Sequence, residues 1–176
     1  QRSIELLGYA ALYRPGGLQL AYGRPLRRAL RRGDPVTAVG DDFPLTIPLH
    51  RVGRWRQAVG THAATRLPDF DAQRDALAQR RLPRLRGIDG VRVMQDPADA
   101  RGTWPFFLLL LPDPQRRDAA LAELWSSGHG VSRLFIHALP DYAYLDGIVP
   151  TQDVPQARDF AARSLTIGNS PWMSDE

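Results

Sequence analysis

Apolar residues along this chain fall into helix-period and strand-period stretches. Val52, Trp55, Val59 and Ala63 recur at three- and four-residue spacing, which predicts a helix ending near Leu67-Pro68. Asp69 offers an N-cap for a second helix reaching about Arg86, with Pro83 expected to kink or shorten it and Gly87 to stop it. Val91-Arg-Val-Met94 alternates as a strand does, and Trp104 to Leu111 is a continuous apolar run, the pattern of a strand buried on both faces. Asp113-Pro114 is a strong helix start, an N-cap oxygen followed by proline at the first helical position. Leu121, Leu124 and Trp125 make the stripe that this helix buries, Gly128 ends it, and Val131 to Ile136 reads as the next strand. Pro155 opens another helix, with Ala157, Phe160 and Ala161 on one face, and Leu165-Thr-Ile167 is a short strand or extended segment. The strand–helix–strand unit makes the fold class α/β.

The first quarter is less regular. Arg24 to Arg32 has the pattern of a short amphipathic helix, with Leu26 and Leu30 on one face and arginines on the others. Gly16-Gly17 is too short for a phosphate loop and is expected to permit a turn. Arg32 to Pro48, rich in Gly, Pro and Asp, reads as a loop or connector. Ser174-Asp-Glu176 has the residues of a helix start, so the chain is expected to be a segment of a longer protein.

Composition narrows the class. The chain has 176 residues, 43% hydrophobic and 24% charged, enough for one domain or one domain plus part of another. Its longest apolar run, Phe106 to Leu111, is strand-sized, and the opening residues lack the pattern of a signal peptide, so no membrane partner and a cytoplasmic location are expected. The absence of cysteine excludes disulfides, thiolate zinc sites and a cysteine nucleophile. The formal net charge is +4, and all 23 basic side chains are arginine. A basic chain can signal nucleic acid. Here 19 acidic residues are interspersed with the arginines, which read as solvated helix faces, so no nucleic-acid partner is expected.

Candidate chemistry is sparse. The histidines at 50, 62, 129 and 137 lack metal-ligand spacing. His62 reads as a solvated or core-edge residue of its helix, and His129, between two glycines, as a loop residue. His50-Arg51 follows Pro48; a guanidinium fork beside an imidazole binds phosphate well, and the alternative is a pair facing solvent at a helix start. His137 stands just past the strand ending at Ile136, where side chains of α/β folds often line sites; its alternative is a structural histidine.

Several stretches together resemble a known family. Arg51-Val-Gly-Arg-Trp-Arg-Gln-Ala-Val-Gly60 resembles a segment that begins Asn-Tyr-Arg and runs into a Gln-Ala-Ala helix, and Asp69 to Val93 resembles the long helix after it, up to a Gly-Val-Arg strand. Trp104-Pro-Phe-Phe107 resembles the first central strand of a small domain, and His137-Ala-Leu-Pro-Asp-Tyr142 a His-x-x-Pro-Tyr-Tyr turn. Ala157 to Trp172, with Leu165-Thr-Ile-Gly-Asn-Ser-Pro171, resembles a closing helix and a Leu-Ser-Leu-Pro-x-His-Pro strand. In this order they resemble the carboxyl half of the DegT-type (DnrJ/StrS-like) sugar aminotransferases, and the likeness covers most of the chain after residue 48.

The resemblance implies a fold-type I, aspartate aminotransferase-like enzyme that uses pyridoxal phosphate to transaminate nucleotide-linked keto sugars with an amino-acid donor, typically as a homodimer. Residues 1–48 would be the tail of the large domain with its connector, and 49–176 the small domain. It assigns His50 and Arg51 to the phosphate of the partner subunit's cofactor and His137 to the substrate. The departures fall on working positions. Leu49 replaces the family's asparagine and His50 its tyrosine, and only Arg51 is kept. Pro15-Gly-Gly17 resembles the glycine pair that follows the Schiff-base lysine, which puts the lysine position near Tyr9. The chain contains no lysine, so it has no catalytic residue for covalent attachment. Two expectations follow: an aminotransferase portion whose lysine lies before Gln1, or a lysine-less pseudoenzyme that binds or partners an active homologue.

Overall fold

A computed structural model describes residues 8, 12–41, 43–44, 46–47, 49, 51–173 and 175. The helix start expected at Ser174 and Glu176 and the lysine position near Tyr9 lie outside the described residues.

A four-stranded sheet in the order β1-β2-β4-β3 organises the carboxyl-terminal two thirds, from β1 (Arg92–Val93), β2 (Phe106–Leu110), β3 (Val131–Ser132) and β4 (Ser164–Gly168). Every neighbouring pair is antiparallel. The strand–helix–strand unit is present: β2 leads through a helix to β3, and the two run parallel. They are not neighbours, because β4 is hydrogen-bonded between them. The molecule thus mixes helix and sheet.

The apolar run 104–111 is not a strand buried on both faces. Phe107, Leu109 and Leu111 are buried, while Phe106 is exposed and Leu108 and Leu110 are half-buried. The reason is the pairing: an antiparallel sheet can leave one face partly open, and successive side chains alternate between its faces. The true centre is β4, with Ser164, Leu165 and Thr166 buried; the sequence marked it only as a short extended segment. Val131–Ile136 is a strand only at Val131–Ser132; beyond it the backbone turns inward to bury Ile136 and leave Phe135 exposed.

The helices, in chain order, are α1 (Pro15–Leu18), which runs through a π-helical turn (Gln19–Gly23) into α2 (Arg24–Leu30); α3 (Pro35–Val39); α4 (Arg54–Thr65); α5 (Leu67–Arg86); α6 (Pro114–Leu124); and α7 (Pro155–Arg163). Gly16-Gly17 therefore lies inside a helix and not at a turn. Within the stretch read as a connector lies α3, capped by the Asp34 carboxylate, which accepts from the Thr37 N–H at 3.0 Å.

α5 starts two residues before Asp69, with Pro68 in its first turn and no side-chain cap. Pro83 does not end it: the proline falls in the last turn on the solvent side, where water can satisfy the carbonyl that it leaves unpaired. α6 begins as the sequence indicates, with Asp113 accepting from the Arg116 N–H at 2.7 Å. Its buried stripe differs: Arg117, Leu121 and Trp125 turn inward and Leu124 is exposed. Those three lie four residues apart, and the Arg117 guanidinium donates to the Ala161 carbonyl at 3.1 Å, tying α6 to α7.

The core joins Leu26 of α2, Ala78 and Leu82 of α5, Phe107 and Leu109 of β2, Trp125, Val131, Tyr142 and Leu165. Two glycines let the amino-terminal helices dock on the end of α6. A Cβ on Gly23 would stand 2.3 Å from the Ser126 carbonyl oxygen, and one on Gly128 (φ +89°) would stand 2.1 Å from the Pro15 oxygen.

Candidate functional site

The best-ordered polar cluster is built on the turn that follows β3. Two short 3₁₀ turns, Leu139–Asp141 and Ala143–Leu145, flank Tyr142 and put its ring in the core. The Tyr142 hydroxyl accepts from the Ile136 N–H at 3.2 Å and the His137 N–H at 3.4 Å, and it donates to the Asp41 carboxylate. Burial, then the bond to Asp41, pushes the phenol above its usual range. Tyr144 packs edge-on against the same ring. Asp141 anchors the outside of the turn by accepting a forked pair of bonds from Arg158 of α7, at 2.9 Å to each carboxylate oxygen. That bonding from Arg158 holds the Asp141 carboxyl below its usual range.

Arg133 lies beneath this turn and donates to the Ile136 carbonyl at 2.6 Å. Its Nε is buried without a partner, and burial, followed by the nearby Arg117 charge, lowers the guanidinium to about 10. Asp41, Arg133 and the Tyr142 hydroxyl are the members of this cluster that the sequence did not signal. The first and last meet across 101 positions of chain, and no local pattern encodes such a pairing.

Of the expected site residues, the two that are described, Arg51 and His137, do not touch. His137 is on the turn, exposed, with its ring edge-on to Tyr142 at 5.4 Å. An exposed imidazole beside the Asp141 carboxylate can carry a proton or donate to an anion. Arg51 is exposed on extended backbone just before α4, where among the described residues it makes no hydrogen bond or ion pair. His50 lies outside the described residues. Among the described residues no hydrogen bond, ion pair or ring contact links Arg51 to His137, and no group of three or more His, Cys, Asp or Glu could hold a metal. No helix among them is long and apolar enough to cross a membrane.

A second polar knot closes the sheet. Arg81 of α5, 8% exposed, donates to Asn169 Oδ1 at 2.9 Å, to the Ser170 carbonyl at 3.0 Å, to the Met173 carbonyl at 2.7 Å and to Asp175 at 2.7 Å. Buried Asn169 donates in turn to the carbonyls of Arg74 and Trp104, at 2.9 and 3.0 Å. This holds Trp104 at a positive φ of 48° at the entry to β2. The segment 169–173 and Asp175 border a cavity of about 350 Å³ lined by Phe107, Ile167, Met173, Arg84 and Asp175.

No protein-family model matches the chain, and no curated protein matches it. Among solved structures it is similar to an aminotransferase, TlmJ from Streptoalloteichus hindustanus, at 25% identity and a TM-score of 0.49, over 62% of this chain and 29% of that one. The chain spans less than a third of that protein's length.

Proposed function

We propose that this chain is the carboxyl-terminal portion of an aminotransferase-like protein of the pyridoxal-phosphate class that acts on nucleotide-linked keto sugars, with residues 49–176 as its small domain. The observation that carries this reading is spatial. Stretches that resemble the family at separate places in the sequence assemble around one sheet: 104–107 enters β2, 165–168 pairs with it as β4, Asn169 bonds back to Trp104, and α5 clasps 169–175 through Arg81. The turn 137–142 locks onto the same core through Tyr142. Independent segments with no common purpose would have little reason to meet in the family's order.

The residues present do not fit a covalently held cofactor. That chemistry needs a lysine amine, and none of the 176 residues is lysine. Arg51, a forked donor open to solvent, and His50 are the groups offered to the cofactor's phosphate. The Schiff-base lysine then either precedes Gln1 or is missing from the protein, and in the second case the fold would serve for binding or for partnering an active homologue. No step of transamination is assigned to this chain.

The test is equilibrium dialysis of the chain against pyridoxal phosphate, followed by borohydride reduction and mass measurement. Saturable binding that washes out, leaves no adduct on an internal peptide and weakens in Arg51→Ala supports the reading. The absence of binding, or equal binding by the variant, removes the cofactor-phosphate role. Repeating the dialysis with a nucleoside-diphosphate keto sugar, with and without His137→Ala, tests the substrate assignment.

A further inference from the structure

Positive charge is not spread over this molecule. Six arginines, at positions 14, 24, 27, 28, 31 and 32, fall in a stretch of 19 residues that contains no acid, and the rest of the chain holds 17 arginines against 19 acidic residues. The whole excess of positive charge therefore sits on the amino-terminal helical run, and the remainder is slightly acidic. Elsewhere several arginines are paired with acids, as Arg101 is with Asp75 and Arg158 with Asp141 and Asp153. Among the described residues, none of the arginines of α2 has an acidic partner.

Their arrangement is regular. Arg24, Arg27, Arg28 and Arg31 follow the i, i+3, i+4, i+7 spacing of one helix face, successive turns being about 5.4 Å apart. Leu26, 2% exposed, and half-buried Leu30 face the core from the opposite side of the helix, and the four arginines are exposed. Two adjoining clefts share Arg24 and Arg27: one of about 270 Å³ is lined by Arg24, Arg27, Arg28 and Arg31, and one of about 440 Å³ by Gly16, Gln19, Leu20, Arg24 and Arg27. Tyr13 and Tyr22 are exposed in the preceding segment. The arginines of this segment are exposed, as the sequence reading has it, but no acid is interspersed with them.

We propose that the arginine face of α2 is a docking surface for the phosphate backbone of a single-stranded nucleic acid. A row of guanidinium forks with a regular repeat matches a polymer with a regularly repeated charge better than the irregular acids of a protein surface. Tyr13, 50% exposed in the preceding segment, offers a face on which a base stacks, the second element of sequence-tolerant single-strand binding, whereas Tyr22 is turned onto Ser132 of β3. A lipid surface is disfavoured because the apolar side of α2 is already spent in the core and cannot sink into a membrane. This inference is independent of the aminotransferase reading.

The experiment is fluorescence anisotropy of the whole chain with labelled single-stranded DNA and RNA 20-mers across a salt series, with phosphatidylserine vesicles in parallel. Four phosphate contacts predict that log affinity falls with log salt at a slope of about −3. Replacing Arg24, Arg27, Arg28 and Arg31 together by Ala should weaken binding by at least about tenfold and flatten the slope, since each neutralised phosphate contributes a fixed share of it. A control that removes four exposed arginines elsewhere (Arg84, Arg86, Arg92 and Arg101) should keep most of the affinity and the slope. Thermal melts verify folding, and the single reversal Arg28→Glu stands in should the quadruple variant fail to fold. Absent oligonucleotide binding, equal losses in the two quadruple variants, or binding to vesicles alone each overturns the proposal.

Discussion

Two side chains hold more of this molecule together than their neighbours do, and each makes a measurable prediction. Tyr142→Phe removes the donor to Asp41 and the acceptor of two backbone N–H groups, so it should cost about 1–3 kcal/mol in urea unfolding at neutral pH. The phenol's pKa is raised in the folded state. Its contribution is therefore complete below the ordinary tyrosine value and is lost as pH rises through the raised one, so the gap between wild type and variant should narrow above about pH 10. Arg81→Met removes four bonds from the strap 169–175 and should cost about 1.5–3 kcal/mol, less if water reaches Asp175 freely. Arg81 holds the Asp175 carboxyl below its usual range, so this link is present at neutral pH and is lost as pH falls through the depressed value. Exchange protection at 169–173, relative to the unfolded chain, should fall in acid for wild type and be lower at all pH values for the variant; unchanged protection in Arg81→Met would remove the clasp from the account.

At the scale of elements, local rules were legible and long-range ones were not. The cap at Asp113, the proline start of α7 and the inward Leu26 of α2 all rest on interactions within a few residues, and the sequence displayed them. The inward turn of Arg117 was hidden because its partner carbonyl at Ala161 is 44 positions away. The one-sided burial of β2 was hidden for the same reason: it follows from antiparallel pairing with β4, which begins 54 positions after the end of β2. Of the candidate site, the strand expected to lead directly into His137 ends at Ser132, and the pairing of Asp41 with Tyr142 and the burial of Arg133 were not legible either. The docking of the amino-terminal run is a further long-range feature, and it makes the third prediction. Gly23→Ala would drive a Cβ to 2.3 Å from the Ser126 carbonyl, so the run must shift off the end of α6. The variant should lose exchange protection from Gln19 to Leu30 while the sheet keeps its own. Gly53→Ala, which meets nothing within 4 Å, is the matched control.

Among the described helices of eight or more residues, α4 alone has no buried residue. α4 has 12 residues and buries none of them. Isolated helices of that length are marginal in water, because nucleation costs more than a few added hydrogen bonds return. Its apolar stripe is on the outside: Trp55 is 53% exposed, Val52 53% and Val59 41%, and Leu67 and Phe70 extend the surface onto α5. A continuous apolar face of this kind on a monomer favours association, since covering it removes apolar surface from water. Light scattering on the 176-residue chain should therefore give a mass that rises with concentration. Amides of α4 should gain exchange protection over the same concentration range, and Trp55→Glu with Val59→Glu should return the chain toward monomer without lowering the stability of the sheet, because neither residue touches the core. A clean monomer at all concentrations, with α4 protected, would mean that this helix is stabilised from within the chain, and the reading of residues 49–176 as a domain that meets other protein surface would lose its physical basis.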